Sequence, residues 1–174
     1  MAKVRLAGVR VEMPGNVPVM FLTETEGEGR TLPVYIGNVE AKAIVDALEG
    51  RIPERPLTHD LLVDTIVALG AILDKIVIVA LREQTYFAEL HLTLGGRTIL
   101  VSARPSDSVA LAVRTGAEIE IDGALLDQLE EEGTLVVWAD DLDEDDEAEE
   151  PEELVDEFRQ FLEDLNPEDF SDPS

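Results

Sequence analysis

Apolar and polar positions alternate along much of the chain, and the places where the alternation fails are as informative as those where it holds. In Lys3 to Glu12, Val4 and Leu6 share one face while Val9 and Val11 share the other, with Gly8 between them. One extra residue at Gly8, a β-bulge, restores a single apolar face and predicts one strand. Pro14-Gly15-Asn16 predicts a turn, Val17 to Thr25 a second strand, Gly27-Glu28-Gly29 another turn and Thr31 to Ile36 a third strand. The period then becomes helical. Gly37-Asn38 opens a helix running to Leu48 and closed by Gly50, and Thr58 is a suitable cap for a second helix, His59 to Leu69, ending at Gly70.

Ile72 to Leu81 is apolar on both faces from Ile76 onward, which predicts a central strand covered on both sides. Gln84 to Leu94 alternates, with Tyr86, Ala88, Leu90 and Leu92 on one face and Phe87, Glu89, His91 and Thr93 on the other. Gly95-Gly96 predicts a hairpin turn into Arg97 to Ala103, and Pro105 fits the first turn of a helix reaching Thr115, with Gly116 at its end. A strand from Glu118 to Ile121, a short helix from Ala124 to Leu129 and a strand from Thr134 to Trp138 complete the body.

A weak internal repeat runs through this body. At an offset of 67 residues Arg30-Thr31 matches Arg97-Thr98, Val34 matches Val101, Glu40 matches Asp107, Ala43 matches Ala110 and Ile44 matches Leu111. Each half then reads strand, strand, strand, helix. The expected fold is α+β, with mixed, largely antiparallel sheets, packed helices and a duplicated strand-strand-strand-helix unit.

Charge divides the chain differently. Of its 13 basic and 39 acidic residues, 12 and 21 lie in residues 1–138, and 1 and 18 in residues 139–174. The net charges are therefore −9 and −17. The stretch Asp140 to Glu153 holds almost nothing apolar, too little to offset the entropy of ordering. The expected organisation is a body over 1–138, an acidic disordered linker over 139–153, and a short amphipathic helix with its tail over 154–174. In that last segment Leu154, Val155, Phe158, Phe161, Leu162 and Leu165 recur at helical spacing, with Pro167 beyond them. Such a helix either docks on its own body or fills the groove of a protein partner.

The chain has no cysteine, which excludes disulfides, thiolate zinc sites and thiol catalysis. No apolar run approaches the length of a membrane span, and no secretory signal follows Met1, so the expected location is cytoplasmic. Patterns for a P-loop, a dinucleotide-binding loop, a serine hydrolase elbow or a zinc protease helix are absent.

Candidate chemistry rests on carboxylates and one histidine. The repeat places Glu40 and Asp107 in the first turn of equivalent helices. Glu40 falls within the apolar arc of Ala43, Ile44, Ala47 and Leu48, so it points inward or along a crevice. Two readings stay open: acids placed favourably against the positive helix end, or acids converging on a site. Asp107 shares the polar face of its helix with Arg114 and follows Arg104, which also suits a salt-bridge cluster. His59 lies beside Val63 and Ile66 on the inner arc of its helix, with Asp60 turned toward solvent. An imidazole there is either a packing histidine or a general base or metal ligand. Hydrolysis by this set would use a carboxylate cluster holding Mg²⁺ or Mn²⁺ at Glu40 and Asp107, with His59 and Asp60 assisting, on a phosphodiester.

Four segments, Leu32-Pro-Val-Tyr-Ile-Gly37, Glu40-Ala-Lys-Ala-Ile44, Arg55-Pro-Leu-Thr-His-Asp-Leu-Leu62 and Arg104-Pro-Ser-Asp-Ser-Val-Ala-Leu-Ala112, resemble the bifunctional nuclease domain family. The acidic linker and closing helix are similar to the tail of actinobacterial members. The resemblance implies an α+β body that forms a homo-oligomer and cleaves DNA or RNA. It carries over Glu40, His59, Asp60, Arg104 and Asp107 as positions inside the family's motifs, with Glu40, His59, Asp60 and Asp107 as candidate catalytic residues; among the basic residues Arg104 and Arg114 are the candidates for binding substrate phosphate. Net acidity opposes this, because phosphate binding draws on Lys and Arg. The competing expectation is a non-enzymatic oligomeric regulator whose acidic tail and C-terminal helix engage a protein partner.

Overall fold

A computed structural model describes residues 1–137. The readings made for residues 139–174, and Trp138 as the end of the last strand, lie outside the described residues. Within them the elements follow in the order β1 (Ala2–Glu12), β2 (Val17–Glu24), β3 (Arg30–Tyr35), α1 (Asn38–Leu48), α2 (Thr58–Ala68), β4 (Ala71–Arg82), β5 (Thr85–Leu94), β6 (Arg97–Ala103), α3 (Pro105–Thr115), β7 (Glu118–Ile121), α4 (Gly123–Glu131) and β8 (Val136–Val137).

All these strands join one mixed sheet in the order β6-β5-β4-β7-β1-β2-β3-β8. The meanders β1-β2-β3 and β4-β5-β6 flank β7, which runs parallel to β4 and antiparallel to β1. β1 and β4 therefore point in opposite directions, as two copies related by an axis through the sheet would. α1 and α3 both span 11 residues and begin 67 positions apart. The repeat seen in the sequence is a repeat of architecture.

The bulge in β1 falls where the pattern requires it. Its register against β2 shifts between Leu6 and Gly8, so Val4 and Val9 both reach the core. β4 sits inside the sheet, and Ile76, Val77 and Ile78 have no exposed surface, consistent with strands apolar on both faces. α1 and α3 bury Ala41, Ile44 and Val45 against Val109, Ala110 and Leu111 in the same core, to which α4 adds Leu125, Leu126 and Leu129. Burying the Val, Leu and Ile side chains among them contributes about 1.5–3 kcal/mol each.

Two local expectations need correction. Thr58 is the first residue of α2 and Leu57 its cap; the capping bond comes from Asp60, whose Oδ2 accepts from the Leu57 N–H at 2.9 Å. Gln84 belongs to the hairpin turn and not to the strand. Glu83 and Gln84 both have positive φ, 48° and 62°. That is the backbone of a type I′ turn built without the glycine or asparagine that normally announces one.

Candidate active site

The two halves of the repeat bring equivalent loops together. The end of β3 with the start of α1, and the end of β6 with the start of α3, enclose a cleft of about 320 Å³. Tyr35, Gly37, Glu40, Gln84, Tyr86 and Arg104 are among the residues that line it.

Glu40 and Asp107 each occupy the third position of their helix, where a carboxylate is favoured by the positive end of the helix dipole. The caps of the two helices, Gly37 and Arg104, make no side-chain capping bond. The two acids meet on Arg104. Its Nη2 lies 2.9 Å from Glu40 Oε1 and 3.1 Å from Asp107 Oδ1, and its Nε donates to Asp107 Oδ2 at 2.7 Å. His59 reaches in from α2, with Nε2 3.1 Å from Asp107 Oδ1. Glu40, His59, Arg104 and Asp107 therefore form one continuous quartet drawn from three helix beginnings.

Burial differs within the quartet in a way that sorts the roles. The side chains of His59, Glu40 and Asp107 are 13%, 18% and 28% exposed, whereas Arg104 is 66% exposed. Burial alone would push the Asp107 carboxyl up, but the bonds from Arg104 and His59 outweigh it and hold that carboxyl below the ordinary aspartate range. The same pairing raises the Arg104 guanidinium, so it stays charged.

Gly37 is a site residue that pattern reading passed over. A Cβ at that position would collide with Glu40 Oε2, so the glycine leaves the space into which the carboxylate folds. Tyr35, Gln84 and Tyr86 were also missed. A strand-end tyrosine, a core-facing tyrosine and a turn residue carry no chemical signature until the hairpin is folded against the helix ends. Burial raises the Tyr86 phenol, and a bond to Glu12 raises that of Tyr35.

Asp60 and Arg114 stand apart from the quartet. Arg114 Nε donates to Asp60 Oδ1 at 2.6 Å, and its Nη1 donates to the carbonyl oxygens of Ala43 and Ala110 at 2.9 and 3.0 Å. With only 11% of its side chain exposed, it ties α1, α2 and α3 together. Both Asp60 oxygens are engaged, one by Arg114 and one by the Leu57 amide. This pair lines a second cleft of about 480 Å³, with Lys42, Asp46 and Arg51. The geometry places Asp60 and Arg114, expected as a catalytic and a substrate-binding residue, in a brace between helices apart from the quartet.

The metal expectation meets a similar obstacle. The guanidinium of Arg104 bridges Glu40 and Asp107 in the place a divalent cation would take, and His59 adds its nitrogen to Asp107 alone. Among the described residues no group of three or more His, Asp or Glu side chains is arranged to hold an ion. With Arg104 between the two acids, the side chains as arranged do not form a set that fits Mg²⁺ or Mn²⁺.

Comparison with known proteins agrees with the four matched segments. A sequence profile of the bifunctional nuclease domain matches residues 20–133, which include every member of the quartet. Two curated proteins of Mycobacterium tuberculosis, one from strain CDC 1551 / Oshkosh and one from strain ATCC 25618 / H37Rv, are each described as uncharacterized. Each is 45% identical over 170 residues, 98% of this chain and 98% of the relative.

Proposed function

This chain belongs to the bifunctional nuclease domain family, and from that premise we propose that it hydrolyses phosphodiester bonds of DNA or RNA at the cleft between its two helix beginnings. The observation that supports the reading is the continuous contact of His59, Asp107, Arg104 and Glu40, contributed by both halves of the repeat, of which Glu40 and Arg104 line the cleft.

In this reading Asp107 orients the imidazole through Nε2 and leaves Nδ1 to exchange protons with the reactants. His59 accepts a proton from the attacking water as the new P–O bond forms. The bond to the leaving oxygen breaks, and that oxygen takes a proton from solvent. Arg104 presents Nη1, to which no described residue is bonded, to a phosphate oxygen, where charge builds in the transition state. Glu40 is a positioning residue that holds Arg104 from the other side.

The test is cleavage of single- and double-stranded DNA and RNA by highly purified full-length protein, with Mg²⁺, with Mn²⁺ and with chelator. His59→Ala is expected to lose about 10²–10⁴-fold in turnover. Arg104→Ala should mainly weaken substrate binding. Equal cleavage by wild type, His59→Ala and Asp107→Asn would sink the reading and point to a contaminating enzyme.

One observation favours a second reading, a non-enzymatic module. Residues 139–174 carry 18 of the 39 acidic residues and only one basic residue, a composition suited to engaging a basic protein partner rather than a polyanion. Deleting that segment should then abolish capture of the partner and leave the body folded.

A further inference from the structure

The cleft between the helix beginnings holds little charge with which to bind a polyanion. Arg104 is the one cation that lines it, and Glu40 lines it too. The body around it carries −9 over residues 1–138, and the whole chain −26. Recognition of a duplex through its backbone draws on many Lys and Arg contacts and weakens steeply with salt. Affinity for nucleic acid at this cleft must therefore come from an interaction that does not depend on charge.

The walls supply one. Tyr35, the last residue of β3, and Tyr86, near the start of β5, both line the cleft, although their strands are not neighbours in the sheet. The other two aromatic rings among the described residues are occupied: Phe21 lies under Arg10 at 6.0 Å and Phe87 under Arg82 at 5.3 Å. Tyr86 is half-buried, whereas Tyr35 is 61% exposed. A bond from the Tyr35 hydroxyl to Glu12 fixes one end of that ring. An exposed ring anchored at its tip is a preorganised platform for stacking. Gln84, from the turn between β4 and β5, adds an amide with both a donor and an acceptor, the groups that read the edge of a base. The volume of about 320 Å³ lies at the small end of the ~300–1,000 Å³ typical of small-molecule pockets. It has room for a nucleotide and none for a paired duplex.

We propose that the cleft receives an unpaired nucleotide, its base stacked on Tyr35 and its phosphate at Arg104, so that the substrate class is single-stranded nucleic acid. This rests on the reading of the cleft as a nuclease site, and adds to it the residue that selects the state of the strand. A base inside a duplex is already stacked and paired, and would have to be extruded before it could reach Tyr35.

The test separates binding from cleavage by measuring binding in the full-length His59→Ala chain. Fluorescence anisotropy follows labelled oligothymidylate of ~12 nucleotides, a hairpin duplex with the same number of phosphates, and a strand of abasic residues of equal length. Oligothymidylate is expected to bind at least ~10-fold more tightly than either of the others. Tyr35→Leu, apolar but without a π face, should lose about 5- to 100-fold of that affinity, and Tyr35→Trp should restore it. The loss in Tyr35→Leu should persist as salt rises, while the loss in Arg104→Ala shrinks. The comparison with the abasic strand needs no change at Tyr35, so it holds whatever that substitution does to folding. Equal binding of all three ligands, or a Tyr35→Leu variant that binds as its parent does, would overturn the inference even where the wild type cleaves. Base-dependent binding lost in Tyr35→Leu, with no cleavage by the wild type, would uphold it while the hydrolytic reading falls. Failure to bind any of the three would overturn both.

Discussion

At the scale of single residues, the candidate site is a set of side chains held by specific contacts, each of which can be removed. Gly37→Ala should move the Glu40 carboxylate off Arg104, because the added methyl takes the space of Oε2. If the two residues act through that contact, Gly37→Ala and Glu40→Gln will weaken substrate binding to a similar extent, and the double variant will add little. Additive losses would separate them. Arg114 is expected to matter for stability rather than chemistry. Arg114→Met leaves the Ala43 and Ala110 carbonyls and the Asp60 carboxylate without their donor. Equilibrium urea unfolding should show a loss of about 3 kcal/mol. Asp60 also sets a pH dependence. Arg114, and secondarily the Leu57 amide, hold its carboxyl below the ordinary range despite burial, and Asp107 is depressed as well. A depressed carboxyl contributes stability above its unfolded pKa and loses it as pH falls through the folded value. Stability should therefore decline below about pH 4, with a shallower decline in Asp60→Asn, measured as the urea midpoint between pH 7 and pH 3.

At the scale of elements, most strands and helices were legible because their periods were uncontaminated. The bulge at Gly8 and the two-sided burial of β4 could be read from side-chain alternation alone. The failures have local causes. Thr58 looked like a cap because capping residues are recognised by type, whereas the amide of Leu57 is satisfied from Asp60 three positions on. The turn at Glu83 and Gln84 was hidden because two residues with ordinary β-strand neighbours adopt positive φ without glycine. Among the residues of α2 only Ile66 is buried. Ile66→Ala should cost about 2–4 kcal/mol in chemical unfolding through loss of its single buried anchor. Because His59 opens the same helix, that variant should also lose cleavage beyond what the fall in folded fraction explains.

At the scale of the whole molecule, two properties oppose each other: a body that gathers its candidate quartet at the seam between two repeats, and a charge of −26 that opposes binding of nucleic acid. Removing residues 139–174 takes away −17 of that charge. Binding of a labelled single-stranded oligonucleotide, read by fluorescence anisotropy at low salt, should tighten in the shortened chain and converge with the full chain as salt rises. The sequence by itself determined the α+β class, the repeat, the divided charge and the membership of Glu40, His59, Arg104 and Asp107 in a common set of motifs. The first three follow from side-chain period, composition and residue type, which are local properties of a chain, and the last from the resemblance of four segments to a known family. Only the tertiary structure decided that Arg104 sits between the two acids, that His59 joins Asp107 while Asp60 and Arg114 form a brace elsewhere, and that Tyr35 and Tyr86 line the same cleft as Arg104. Each of these depends on distances between residues tens of positions apart, such as the 48 that separate His59 from Asp107, and no period or propensity encodes a distance across the fold.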